Sequence, residues 1–233
     1  MKHIETDALV VRTIPYSEAD IVATFITETS GKLAALVRGG RKSTRRFGGG
    51  LEPFHTMRLR IDEGSGDLVT LKEARVVCVR VGITASLAAL EAGGTALRWL
   101  RHLVQPRHPE PAAWATTVAL LDALDRGLSE PRVELAGSAL RLLSDVGYGL
   151  DLERCVVCGK PCPDEKPASV DGARGGLVCH ACGGARQVLG PRARRAALEA
   201  QRGGGVAFTR DEAEEILTLV TAAMAAHGGI EPK

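Results

Sequence analysis

Apolar positions change period once along this chain. Through the first eighty residues they come in short β-branched runs or in strict alternation. Residues 8–13 form an apolar run closed by Pro15, and residues 21–27 form another that stops at Thr29-Ser30-Gly31. Within 32–37, Leu33, Ala35 and Val37 share one face. Within 54–61, Met57, Leu59 and Ile61 alternate with Arg58 and Arg60. A last run, 68–76, follows the turn signal Gly64-Ser65-Gly66-Asp67. Five short strands at this spacing predict a small closed or partly closed barrel. An open sandwich fits the same pattern, and period alone does not choose between them.

From about Thr84 the period is helical. Leu87, Leu90, Leu97, Leu100 and Val104 make one stripe, ended by Pro106 and Pro109. Trp114, Val118, Leu121 and Leu124 make a second within 114–128. A third helix is predicted over 132–146, with Gly147 as a left-handed C-cap. Residues 151–190 are rich in Gly, Pro and Cys and read as loop. Thr209-Arg210-Asp211-Glu212 then matches the capping box of a final helix, which puts Ile216, Leu217, Val220, Ala223 and Met224 on one face. The expected class is a multidomain α+β chain. A β-barrel spans 1–80, a helical part 81–150, a Cys-rich module 151–190, and a closing helical segment 191–233.

Composition narrows the setting. The 233 residues are 45% hydrophobic and 25% charged, near the average for a folded chain, so a packed core is expected. Aromatics are only 3%, leaving that core to Leu, Val, Ile and Ala. No run of about 18 apolar residues occurs, and residues 1–13 hold no apolar signal-peptide stretch, so neither a membrane span nor export is expected. The expected location is the cytoplasm. In that reducing compartment the six cysteines are expected as metal ligands or thiols rather than disulfides.

Four of them form two C-x-x-C pairs, Cys155/Cys158 and Cys179/Cys182, separated by residues 159–178. Two residues between thiolates let a tight turn aim both sulfurs at one point, and two such turns supply a tetrahedral ion. Gly159 and Gly183 follow the second cysteine of each pair, a residue type that tolerates positive φ and lets backbone N–H groups approach the sulfurs. Redox C-x-x-C motifs come singly, after a strand and opening a helix, unlike these. Four thiolates leave no position for catalytic water, so one structural zinc ion is expected. Cys162 and His180 are rivals for one ligand position. Cys78, in an apolar run, is expected as a core thiol.

Net charge is only +2, with a pI near 8.3, but its distribution is uneven. Between residues 38 and 60 stand Arg38, Arg41, Lys42, Arg45, Arg46, Arg58 and Arg60, against the single acid Glu52, a local balance of +6. A glycine-flanked loop of guanidinium groups suits a phosphate backbone of any sequence; a plain solvated loop is the alternative. Phe47 either stacks on a base or pins the loop to the barrel. Arg186, Arg192, Arg194, Arg195 and Arg202 form a second basic cluster, which either extends this surface, with Arg192, Arg194 and Arg195 as contacts, or is the polar face of a helix. Gly39-Gly40-Arg41-Lys42-Ser43 faintly resembles a phosphate-binding loop. That motif requires glycine at the places Arg41 and Leu36 occupy, so nucleotide hydrolysis is rejected. No nucleophile, zinc-hydrolase or Lys-x-Asp-Gly motif occurs, and no enzyme is expected. The competing classes are a nucleic-acid enzyme with a barrel and a zinc ribbon, and a protein scaffold whose basic loop meets an acidic partner.

Three segments in order resemble the bacterial RecO family. They are Ala8-Leu-Val-Val-Arg12 through Tyr16-Ser-Glu-Ala-Asp20 to Gly31-Lys32, then Val37-Arg-Gly-Gly-Arg-Lys42 with Arg46-Phe-Gly-Gly-Gly-Leu-Glu-Pro-Phe54, then residues 140–159 around the first cysteine pair. The resemblance implies an N-terminal OB-fold, a helical domain and an inserted four-cysteine zinc module. It implies binding of single- and double-stranded DNA and annealing of complementary strands. It further implies work with RecR to load RecA onto DNA coated by single-stranded-DNA-binding protein, whose acidic tail docks in the helical domain. Carried over by position, the loop arginines and Lys42 are the DNA contacts, and Cys155, Cys158, Cys179 and Cys182 are the zinc ligands.

Overall fold

The computed structural model describes residues 2–41, 47, 51–63, 68–205 and 208–229. Five strands come first: β1 (Lys2–Pro15), β2 (Ile21–Thr27), β3 (Gly31–Val37), β4 (Thr56–Glu63) and β5 (Leu68–Cys78). They close in the order β1-β2-β3-β5-β4, with β4 returning to pair with β1. Only the β3–β5 contact is parallel, joining Ala34–Leu36 to Leu68–Thr70. This OB-like closure removes the free edges an open sandwich would leave. The alternation seen in the sequence fills the barrel: Leu33, Ala35 and Val37 from β3 and Met57, Leu59 and Ile61 from β4 are all buried.

Five helices follow: α1 (Leu87–Leu103), α2 (Pro111–Arg126), α3 (Pro131–Asp145), α4 (Pro191–Gln201) and α5 (Arg210–Gly228). Proline opens α2, α3 and α4, where its missing N–H costs no helical bond. Thr209 and Glu212 form the reciprocal capping box at the start of α5. Helix α3 is central and packs against the other four. Arg132 at its start grips Glu214 of α5 with two hydrogen bonds, and the guanidinium holds that carboxyl below its ordinary value of 4.5. A depressed carboxylate pKa stabilises above the ordinary value, and that contribution is lost as pH falls through the depressed one. Wild type should therefore lose more melting temperature than Glu214→Gln on acidification below pH 4.5. Because both side chains are about half exposed, the difference should stay within about 1 kcal/mol.

Barrel and helices share one interface. Leu9, Ile26 and Phe54, on the outside of the barrel, join the helical core with Ile83. Arg80, 1% exposed, clamps the two parts. Its Nε donates to Asp122 of α2 (2.6 Å), and its Nη1 donates to the Phe54 carbonyl (2.7 Å) and Thr56 Oγ1 (3.0 Å). Replacing Arg80 with Ala strands two buried acceptors and a half-exposed carboxylate. Urea denaturation should show a loss of about 3 kcal/mol, the low end for breaking a buried pair.

Residues 151–190, read as loop from the sequence, carry a three-stranded sheet in the order β7-β6-β8. Its strands are β6 (Ala168–Asp171), β7 (Gly176–Leu177) and β8 (Gln187–Leu189). Cys78, expected in the core, is only half-buried at the end of β5. The same apolar run leaves Val77, Val79 and Val81 exposed on the surface.

Candidate metal centre and nucleic-acid surface

The two C-x-x-C turns converge. The sulfurs of Cys155, Cys158, Cys179 and Cys182 all lie within 4.8 Å of one another, and Cys158 Sγ is 3.7 Å from Cys179 Sγ. A tetrahedral zinc with 2.3 Å bonds requires sulfurs about 3.8 Å apart, so the donor set fits that ion. Among the described residues no other ligand type joins the group. Cys162 points its sulfur at the Pro163 carbonyl (3.8 Å), and His180 is outside the group, so neither rival takes a ligand position.

Each turn closes back on the carbonyl of its first cysteine. The Gly159 N–H donates to the Cys155 carbonyl (2.8 Å), and the Gly184 N–H donates to the Cys179 carbonyl (3.1 Å). Gly159 at φ +70° and Gly183 at φ +97° take the backbone turn that side-chain-bearing residues resist. The turns are held together through β7. A Cβ on Gly176 would stand 2.1 Å from the Asp151 carbonyl, so only glycine lets the segment before the first pair lie against the strand leading to the second. Asp151 Oδ1 accepts from the N–H groups of Glu153 and Arg154, which assigns this acid to a turn.

The crowded thiols differ in acidity. The Cys179 N–H donates to Cys155 Sγ (3.3 Å), and this bond, with further backbone donors, brings the Cys155 thiol down to about 6. Cys182 moves oppositely, to about 12, because its thiol is hydrogen-bonded first to Cys179 and then to Cys158. The Cys155 sulfur is thus ready to carry charge while Cys182 holds its proton, which a divalent cation would displace.

The basic residues fall into three groups. Arg38 and Arg41 follow β3 and are exposed. Lys42, Arg45 and Arg46 lie outside the described residues. The start of this loop is anchored by backbone bonds: the Gly39 N–H donates to Asp20 Oδ1 (2.8 Å) and the Arg41 N–H to the Ala19 carbonyl (3.1 Å). Phe47 is buried among the barrel side chains, so it pins the loop rather than offering a stacking face. Tyr16, in the β1–β2 turn that anchors the loop, is 65% exposed. Sequence reasoning missed it, although its place between two turn residues and a strand end was a signal.

In the second group, Arg58 and Arg60 project outward from β4 and meet acids. Arg58 makes a two-pronged pair with Asp7 of β1, which raises its pKa, and Arg60 Nη1 is 3.7 Å from Glu73. With Arg75, directly opposite Arg58 on β5, they line a cleft of about 460 Å³. Arg75 was not singled out from the sequence; its alternation with buried Ala74 was the available signal.

The third group corrects an expectation. Arg194, expected as a DNA contact, is 1% exposed. Its Nη2 donates to the carbonyls of Pro163 (2.8 Å) and Cys162 (3.4 Å), fastening α4 to the cysteine module, so it is out of reach of any polynucleotide. Arg192 and Arg195 remain exposed, each beside a carboxylate, Glu212 at 2.5 Å and Glu165 at 3.8 Å.

The comparisons decide the lineage. Residues 1–80 match the family described as recombination protein O N terminal, and residues 86–233 match recombination protein O C terminal. The chain belongs to the RecO family. It is 36% identical over 183 residues to the DNA repair protein RecO of Anaeromyxobacter sp. (strain K), covering 78% of this chain and 71% of that one. It is 33% identical over 230 residues to the RecO of Geobacter sulfurreducens, covering 97% and 93%. Among the described residues, no helix is long and apolar enough to cross a membrane.

Proposed function

We propose that this RecO-family chain is a cytoplasmic, nucleoid-associated DNA repair protein that binds single- and double-stranded DNA and anneals complementary strands. With RecR it helps load RecA onto DNA coated by single-stranded-DNA-binding protein, whose acidic tail docks in the helical domain. It has no catalytic activity of its own, and its cysteine module holds one structural zinc ion. The observation that carries this reading is the family match over both parts of the chain, joined to the exposed Arg38 and Arg41 that follow β3.

The physical task in annealing is to bring two phosphate chains together against their repulsion. Guanidinium groups on a loop release counterions from whichever sequence they meet, and so act without base readout. The Asp20 and Ala19 bonds fix where that loop leaves the barrel. The cysteine module, fastened by Arg194, sets the geometry of α4 and touches no reacting group. Fluorescence annealing of complementary oligonucleotides by the purified protein tests this reading, and an unchanged spontaneous rate would refute it. An adenylation assay separates it from a ligase-like enzyme.

Tyr16 adds an aromatic face beside the loop anchor. Tyr16→Ala should weaken binding to single-stranded DNA at least about fivefold, the low end for a base–aromatic stack. On an abasic strand the two proteins should bind alike.

A further inference from the structure

A different group of cations, drawn from both parts of the molecule, has no assigned role. Arg12 stands on β1, Lys32 near the start of β3, and Arg98, Arg101 and His102 on α1. A β-bulge makes the grouping possible. Ala8 and Val10 point into the barrel, and continued alternation would send Arg12 inward as well. The register shifts between Val10 and Arg12, so that Val10 pairs with Phe25 and Arg12 with Thr24. The extra residue, Val11, packs on the helical core, and Arg12 emerges on the exposed face.

The other members are fixed to the same seam. Lys32 Nζ donates to the Arg101 carbonyl (2.8 Å), and the Arg107 N–H donates to the Lys32 carbonyl (3.1 Å). Arg101 Nη2 lies 3.2 Å from His102 Nε2. Among the described residues, Arg12, Lys32, Arg98 and Arg101 make no ion pair with a carboxylate, in contrast to Arg58, Arg60, Arg192 and Arg195. Burial and then neighbouring cations lower Lys32, Arg101 and His102: Arg101 acts on Lys32, Arg12 and Arg98 on Arg101, and all but Arg12 on His102. The end of a helix favours cations, which accounts for Arg101 and His102 in the last turn of α1. It does not account for Arg12 and Lys32, which the barrel contributes.

We infer that this seam of Arg12, Lys32, Arg98 and Arg101 is a second polynucleotide site, which takes the phosphate backbone of a second strand while the loop after β3 holds the first. The inference rests on the DNA-binding reading above. Strand β3 carries Lys32 at one end and leads into Arg38 at the other, so the sites lie about 20 Å apart along it at roughly 3.3 Å per residue. Close-set cations repel one another, and a polyanion relieves that repulsion without needing an apolar pocket.

The test uses the full chain loaded on an immobilised thymidine oligonucleotide and offered a second, labelled, non-complementary strand. Wild type should capture the second strand. Arg12→Glu with Arg98→Glu should lose capture while keeping first-strand affinity and melting temperature. The milder pair Arg12→Gln with Arg98→Gln should flatten the salt dependence of capture by about 1.4 log units per log unit of salt, two phosphate contacts' worth. Capture by the charge-reversed protein at the wild-type level, or wild type that holds the first strand but takes no second, overturns the inference alone. Loss of polyglutamate binding with unaltered strand capture would assign the seam to an acidic protein and also overturn it. A wild type that binds no first strand overturns the DNA-binding reading as well.

Discussion

Cys158→Ser should purify without zinc and melt well below wild type, which should carry one zinc per chain by elemental analysis. Cys158 is the exposed member of the cluster, whereas Cys155 is 2% exposed, so this substitution removes a ligand without opening a hole in the core. Structural zinc supplies roughly 10–16 kcal/mol in small zinc-binding peptides, comparable to the whole stability of a typical domain. The sheet of 151–190 has strands of only 4, 2 and 3 residues, too little to stand without its crosslink. Its docking against α5 retains part of the structure: Gly172 packs so closely there that a Cβ would stand 2.1 Å from the Leu219 carbonyl. If only about 3 kcal/mol appears as net stability, the melting temperature still falls by roughly 6–12 °C for a chain of this size. Cys162→Ser should keep both metal and melting temperature. A metal-free preparation as stable as wild type would contradict the assignment.

Replacing Arg41, Lys42, Arg45 and Arg46 together with Ala should abolish strand annealing while leaving zinc content and melting temperature unchanged. The backbone anchors at Gly39 and Arg41 do not depend on these side chains, and Phe47 still closes the loop onto the barrel. Four lost phosphate contacts should flatten the salt dependence of single-strand binding by about 2.8 log units per log unit. Between 50 and 200 mM salt, wild type should thus lose about fifty times more affinity than the variant. Annealing at the wild-type rate would remove the loop from the mechanism.

Legibility in the sequence followed the range of the interactions. Local rules found the barrel strands, the capping box of α5 and both cysteine turns, because alternation, capping and C-x-x-C spacing act within a few residues. Closure of the barrel was not legible, since the parallel β3–β5 contact joins segments over thirty residues apart and leaves no mark on either strand's period. The short strands of the cysteine module fall below any readable period. Charge was the least transparent. Arg58 looked free until β1 brought Asp7 against it, and Arg194 looked like a DNA contact until the Pro163 loop covered it. The seam around Arg101 was invisible for the opposite reason: a single bulge residue, Val11, turns Arg12 outward to meet it.

Cations on the barrel are proposed to hold DNA by its phosphates. The most direct measurement is the affinity of the purified protein for mixed-sequence single-stranded oligonucleotides from 50 to 300 mM salt. Log affinity should fall along a straight line against log salt, with a slope of about −2.8 or steeper and little change between sequences. An affinity that ignores salt, or no binding at the lowest salt, would contradict it.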